Sequence, residues 1–412
     1  MSMSFRQTDL TVNSGDSNFS VRIRNARVED ARRIQVLYAE VYGPNYSVSL
    51  VSDKAKMLHA ITSDDYVWLV GEHNGRIIAS QIVQIDPANR LAKALGAVVS
   101  REYRRHNLIY SMMEIIMESV TKKHKLVDAV YATTRTVTAA PQKILNNMGF
   151  SALGIFPNAH KVYEHETHCL TAYYVIPAWG RRRRPVRILK QIEPFYRLAQ
   201  RELLAKLPGK ELELGRPKIM PEGYIDENPQ PGRHNENLIQ FETIQAPSFV
   251  SARFRKMGTS GVFSNSYVPF HKPNLMLVSH DQKTEIYMQY NPQDHYSVIL
   301  GGNTVVTDFA LLLNSVAEVI RGMNVSYLEC LVDAYTPELQ RQAMHAGFLP
   351  SAYFPSMRQV GRKRWDYIAF SRSFEILDFR KVSLIRTYRS YLKEYIKLWN
   401  EMYVETALRS RH

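Results

Sequence analysis

Leu95-Gly96-Ala97-Val98-Val99-Ser100-Arg101-Glu102-Tyr103-Arg104-Arg105-His106-Asn107-Leu108-Ile109-Tyr110 passes from an apolar run through a basic turn into an amphipathic helix. Leu95 to Val99 reads as a buried strand. The helix is expected from Leu108 to Thr121, with Leu108, Met112, Ile115, Ile116 and Val120 near a 3.6-residue period. Strand, basic turn and helix N-terminus in that order make an anion site. The first amides of a helix have no intrahelical acceptor, and the positive end of its dipole lies among them. Arg104 and Arg105 add planar donors suited to phosphate.

Working outward, Asp128 to Thr133 reads as a strand and Ala139 to Asn147 as a short helix, closed by Met148-Gly149-Phe150. Upstream, Val21-Arg22-Ile23-Arg24 alternates as a first strand, and Val28-Glu29-Asp30 opens a helix from Ala31 to Tyr42. Tyr66 to Val70 and Arg76 to Val83 form a hairpin around His73-Asn74-Gly75, a strong turn signal. Leu170 to Ile176 reads as a closing strand. His165-Glu166-Thr167-His168-Cys169 is not His-Glu-x-x-His, and its i,i+3 histidines on a strand face opposite sides, so no metal is expected.

This order resembles the GNAT superfamily of N-acyltransferases. There a strand leads into an Arg/Gln-x-x-Gly-x-Gly/Ala turn that cradles the CoA pyrophosphate. Arg104 stands at the leading position, Asn107 at the first Gly and Ile109 at the second. Asn tolerates left-handed backbone; the branched side chain of Ile109 departs from the pattern. The resemblance implies acetyl-CoA or another acyl-CoA as cosubstrate. It implies a donor site from Arg104, Arg105, His106, Asn107, Leu108 and Ile109, with a carbonyl-polarising amide among Ala97, Val98 and Val99. It places Tyr42 and Tyr46 beside the acceptor. The family's usual acid, a Tyr five residues before Phe150, is replaced by Leu145, and the central strand carries Lys93 and no carboxylate. The proton transfers would then use water relay or a borrowed group, with Tyr110, His168 and Tyr173 as candidates.

The second half repeats the first. Leu275 to Tyr287 mirrors the hairpin, Val298 to Gly302 the strand, Phe309 to Arg321 the helix, Val325 to Val332 the next strand and Glu338 to His345 the short helix. Ala346-Gly347-Phe348 mirrors Met148-Gly149-Phe150. Phe156-Pro157 and Phe354-Pro355 follow at equal distances, and Gln142 and Gln340 precede at equal distances, as in a tandem duplication. The second copy lacks the Arg-x-x-Gly turn and carries Ala343 at the acid position, so it is expected to be degenerate for the donor. The fold class expected is α/β (α+β): two tandem GNAT-like domains, each a mixed, mostly antiparallel sheet flanked by helices. The expected divisions are a flexible tail at 1–20, an N-terminal domain at 21–180, a linker at 181–236, a C-terminal domain at 237–375 and a helical tail at 376–412. Arg181-Arg182-Arg183-Arg184 reads as solvated linker, and Leu384 to Thr406 as an amphipathic helix with one apolar stripe and a basic remainder.

Composition bounds the rest. The chain has 412 residues and a formal net charge of +14, which favours polyanionic partners. Two cysteines, Cys169 and Cys330, give neither a disulfide framework nor a metal spacing and fit a cytoplasmic protein. There is no signal-peptide core and no transmembrane run. Two function classes stand. One is an acyltransferase moving an acyl group from acyl-CoA, or from a carrier-protein thioester, to a small-molecule or carrier-bound amine. The other is a non-catalytic CoA- or polyanion-binding protein, or a transferase drawing on aminoacyl-tRNA.

Overall fold

The computed structural model describes residues 8–14, 17–43, 48–161, 164–206, 215–220, 238–259, 267–405 and 408. The chain divides into two compact units. One takes residues up to 133 with 147–150 and 172–177; the other takes 134–146, 151–171 and the chain from 178 onward.

In the first unit the strands are ordered β1 (Thr8–Ser14), β2 (Ser17–Asn25), β3 (Tyr66–His73), β4 (Arg76–Asp86), β5 (Leu91–Val99) and β6 (Ala129–Arg135). Neighbours are antiparallel except β5 and β6, which are parallel and joined through α4 (Leu108–Met117). The opposite face carries α1 (Ala31–Tyr42), α2 (Ser49–Ser52) and α3 (Lys54–Thr62), and the β3–β4 turn uses Asn74 at φ 47° and Gly75 at φ 74°. Asp53 caps α3 by accepting from the amides of Ala55 at 2.9 Å and Lys56 at 3.2 Å. Ile34, Leu37 and Tyr38 of α1 bury against Met57, Trp68, Ile82 and Val98. Leu108, Met112, Met113 and Ile116 are the buried face of α4, which continues as a π-helical turn over Glu118–Lys123. The expected tail is corrected: residues 8–14 form a strand paired with Ser17–Ile23, so the first strand also begins before Val21.

One feature of this sheet positions the site. β5 pairs with β6 only from Leu91 to Ala94. Beyond that, its register against β4 shifts between Ser80 and Ile82, and Gly96 takes φ 62°. A Cβ at Gly96 would meet Ile82 Cδ1 at 2.9 Å and the Tyr38 hydroxyl at 3.0 Å, so the bulge requires glycine. From Leu95 to Val99 the two parallel strands no longer pair.

The second unit contains α5 (Ala140–Asn147), β7 (Ser151–Lys161), β8 (His165–Tyr174), α6 (Ile176–Gly180), β9 (Arg187–Leu189), α7 (Glu193–Lys206), β10 (Lys218–Met220), β11 (Phe241–Ile244) and α8 (Pro247–Thr259). It continues with β12 (Leu275–Ser279), β13 (Glu285–Asn291), β14 (Tyr296–Asn303), α9 (Phe309–Gly322), β15 (Tyr327–Asp333), α10 (Pro337–His345), β16 (Leu349–Val360), β17 (Lys363–Ser373) and α11 (Arg386–Asn400). Its main sheet runs β8-β7-β16-β17-β15-β14-β13-β12-β11. As in the first unit, three antiparallel strands, β12 to β14, lead through a helix to a parallel partner, β15. β14 also shifts register, between Tyr287 and Met288 of its neighbour, and leaves β15 after Ile299. The repeat read from sequence therefore recurs as topology.

Pairs at matching places in the two repeats meet inside this unit. Gly154 pairs with Ala352, equally far beyond Phe150 and Phe348. A Cβ on Gly154 would overlap Cα and Cβ of Ala352. Gln142 donates to Ser383 O at 2.8 Å and accepts from Ile385 N at 3.1 Å. Gln340 treats Arg187 O (3.0 Å) and Leu189 N (3.3 Å) the same way. Each buried glutamine thus grips a segment that enters a helix, α11 or α7. These contacts are why 134–146 and 151–171, expected in an N-terminal domain ending at 180, belong to the second unit.

The arginine run is also corrected. Arg182 is buried and ion-paired with buried Asp366, and the Asp366 carboxylate further accepts from Tyr353 and from Ser356 N at 2.9 Å. Arg183 stacks on Trp365 at 4.0 Å and Tyr335 at 4.4 Å. These side chains pack in the second unit and are not a solvated linker. Of the linker expected at 181–236, residues 207–214 and 221–236 lie outside the described residues, and 218–220 pair with 187–189 as a two-stranded parallel sheet.

Candidate active site

The turn from Ser100 to Asn107 is fixed from several sides. Ser100 is fully buried and its amide donates to Ile78 O at 2.8 Å. Its hydroxyl donates to Glu40 Oε1 at 2.8 Å. Arg76 donates to Glu40 Oε2 at 2.9 Å and to Glu102 Oε2 at 3.3 Å. Burial opposes ionisation of Glu40, but hydrogen bonds from Ser100 and Arg76 and the charge of Arg76 outweigh it and hold the carboxyl below its usual range. On the other side the Phe19 ring meets His73, Tyr103 and His106 at centroid distances of 5.2, 5.5 and 5.1 Å. Nothing in the sequence pattern flagged Glu40, Ser100 or Phe19.

Two turn residues adopt left-handed backbone, Arg105 at φ 73° and Asn107 at φ 54°. The second fits the reading of Asn107 as a glycine substitute; Arg105 was not foreseen. Asn107 occupies the N-cap of α4 but its side chain makes no cap hydrogen bond. Intrahelical bonding begins with Ser111 N to Asn107 O at 3.0 Å, so neither helix nor cap supplies an acceptor to the amides of Leu108, Ile109 and Tyr110. Arg104 and Arg105 are exposed, Leu108 is buried and Ile109 is half-buried.

The strand beside the turn is held from α1. Tyr38 donates to Gly96 O and Tyr42 to Ala97 O, the latter at 2.9 Å, while Gln81 donates to Leu95 O at 3.2 Å. Because Ser100 N points to β4, the amide of Val99 points to the opposite edge, where pairing with β6 has ended. An acyl carbonyl seated there would meet a free donor.

The other candidates separate. The charge of Glu114, one turn along the helix, pushes the Tyr110 phenol up. Tyr173 packs on Phe150 at 5.8 Å and lines the Gly149 turn. His168 lies in the second unit with its ring 5.1 Å from His160, which in turn faces Asp294 at 3.3 Å. Tyr42 is spent on Ala97, and Tyr46 lies outside the described residues.

The equivalent corner of the second unit is closed by the protein itself. Asp308 caps α9, accepting from Leu311 N at 3.0 Å, and Gln342 of α10 accepts from Phe309 N at 2.7 Å. A carboxylate and an amide oxygen occupy the place where an anion would sit.

A family profile described as "Acetyltransferase (GNAT) domain" matches residues 23–170. The chain carries a GNAT domain. No curated protein sequence matches the chain. Solved structures similar to part of this chain include an acetyltransferase of the GNAT family from Streptococcus pneumoniae, 18% identical, covering 38% of this chain and 99% of its own, TM-score 0.34. Another is an N-acetyltransferase from Staphylococcus aureus Mu50 at 14% identity, 37% and 98% coverage and TM-score 0.33. A third is the PaiA N-acetyltransferase from Thermoplasma acidophilum in complex with coenzyme A, at 14%, 38% and 99%, TM-score 0.30. The GNAT assignment rests on the profile and agrees with the acyltransferase class expected from sequence. Among the described residues no helix is long and apolar enough to cross a membrane.

Proposed function

We propose that the GNAT domain binds an acyl-CoA with its diphosphate on the amides of Leu108 to Tyr110 and transfers the acyl group to an amine. The observation that carries this is the uncapped, left-handed entry into α4 beside a strand that has left its partner. The cosubstrate supplies an activated thioester. The chain's own residues orient and polarise it: Arg104 and Arg105 neutralise phosphate charge, and the outward amide of Val99 stabilises charge developing on the carbonyl oxygen. As the amine forms its amide bond, the C–S bond breaks and the amine proton is released while the thiolate gains one. Tyr110, a phenol on the same helix, is the proton source, although Glu114 beside it weakens the phenol as an acid. The second repeat, with Asp308 and Gln342 on its helix N-terminus, is read as non-binding for the donor.

A second reading has one observation in its favour. Leu145 and the buried Ala343 stand where the family places its acid, as suits binding without turnover. Calorimetric titration with acetyl-CoA, longer acyl-CoAs and CoA tests the donor; an amine panel with thiol detection tests turnover. Arg104→Ala is expected to weaken binding roughly tenfold to a hundredfold, the loss of one charged hydrogen-bonding group. Exposed Arg32→Ala is expected to change nothing. Equal effects would remove Arg104 from the role. Failure of every CoA species, with salt-sensitive tRNA binding instead, would favour the tRNA donor.

A further inference from the structure

We propose that the outer face of α11 is a docking surface for an anionic lipid bilayer. The inner face of this helix of 15 residues is fixed by burial of Tyr388, Tyr391, Tyr395 and Leu398. Two of these tyrosines also bond backbone, Tyr388 to Leu170 O at 3.2 Å and Tyr391 to Ala152 O at 3.0 Å. The helix is therefore held along its length with its opposite side outward.

That outward side is Arg386, Arg389, Lys393 and Lys397, all exposed. At about 100° per residue the four fall within an arc of roughly 80° and span about 16 Å. Arg386 and Lys393 have no ion-pair partner among the described residues. Arg389 donates to the Leu384 carbonyl oxygen at 3.0 Å, and Lys397 reaches Glu401 at 3.9 Å. The helix's one acid, Glu394, sits half-buried on the flank. Cations just before the helix behave differently: Arg380 pairs with Asp378 and Lys381 with Glu164, each at 2.6 Å. Ordinary solvated surface mixes both signs, as that preceding segment does; the α11 stripe does not.

Apolar surface decides between anionic partners. Ile396 borders this arc, about 20° beyond Arg389, at 42% exposure. An exposed aliphatic side chain beside a row of cations suits the headgroup boundary of a bilayer. The association is peripheral, since the helix's own apolar face is already buried.

The full chain should co-sediment with phosphatidylglycerol-containing vesicles, not with pure phosphatidylcholine, and salt should release it. Arg386→Gln/Lys393→Gln/Lys397→Gln should weaken binding roughly a hundredfold, about fivefold per cation, with an unchanged melting temperature because the three side chains are exposed. The paired cations serve as control: Arg380→Gln/Lys381→Gln should bind as wild type. No binding to anionic vesicles, equal binding to neutral ones, or undiminished binding by the triple variant would overturn the proposal. So would binding to RNA that the triple variant loses while vesicles are ignored.

Discussion

Replacing Glu40 by Gln keeps the side chain's length and removes the charge that Arg76 and Ser100 share. Folding lowers the Glu40 pKa, so its stabilisation is complete above the ordinary glutamate range and is lost as pH falls through the lowered value. The melting temperature of Glu40→Gln should therefore lie below wild type at neutral pH, and the gap should close in acid. The side chains of the Arg76–Glu40 pair are 47% and 31% exposed, which limits the effect to about 1 kcal/mol. A gap that does not vary with pH would mean the contact is steric. At this scale the sequence was partly legible. Asn107 announces a left-handed position because few residues tolerate one. Arg105 does not, because arginine has no such preference and only the closed turn forces it. Arg182 was misread for a similar reason: a run of four arginines resembles surface, and its partner Asp366 is remote in sequence.

The two helix entries make the clearest contrast between elements. α4 begins on a residue whose side chain caps nothing, while α9 begins on Asp308. Asp308→Ala should cost about 1 kcal/mol, as N-cap losses do, read by denaturant unfolding, without creating acyl-CoA affinity, because Gln342 still occupies Phe309 N. An unchanged midpoint would contradict the cap. Most elements were readable from period and turn chemistry: the Asn74-Gly75 hairpin, α1 and α4, and in the second half the β12–β13 hairpin and α9; α8 was not read. The departure of β5 from β6 was not, since register depends on the partner strand; Gly96 is its one local trace. β1 escaped notice because a polar edge strand has the composition of a tail.

At the scale of the whole molecule, the repeat was visible as matched Gly-Phe, Phe-Pro and Gln positions, but where each copy packs was not. Gln142 and Gln340 stood out only as matched positions, yet both are buried and grip backbone. Arg182→Ala leaves the Asp366 carboxyl buried without its ion-pair partner, and should cost about 3–5 kcal/mol, seen as a lower unfolding midpoint; a loss under 1 kcal/mol (about the worth of an exposed pair) would show the cluster to be dispensable. The central claim concerns one corner of the chain and can be read at its amides. Hydrogen–deuterium exchange with and without acetyl-CoA should slow peptides covering 100–117 and leave those covering 303–315 unchanged. Protection confined to 303–315, or none at 100–117 when the ligand is bound, would contradict it.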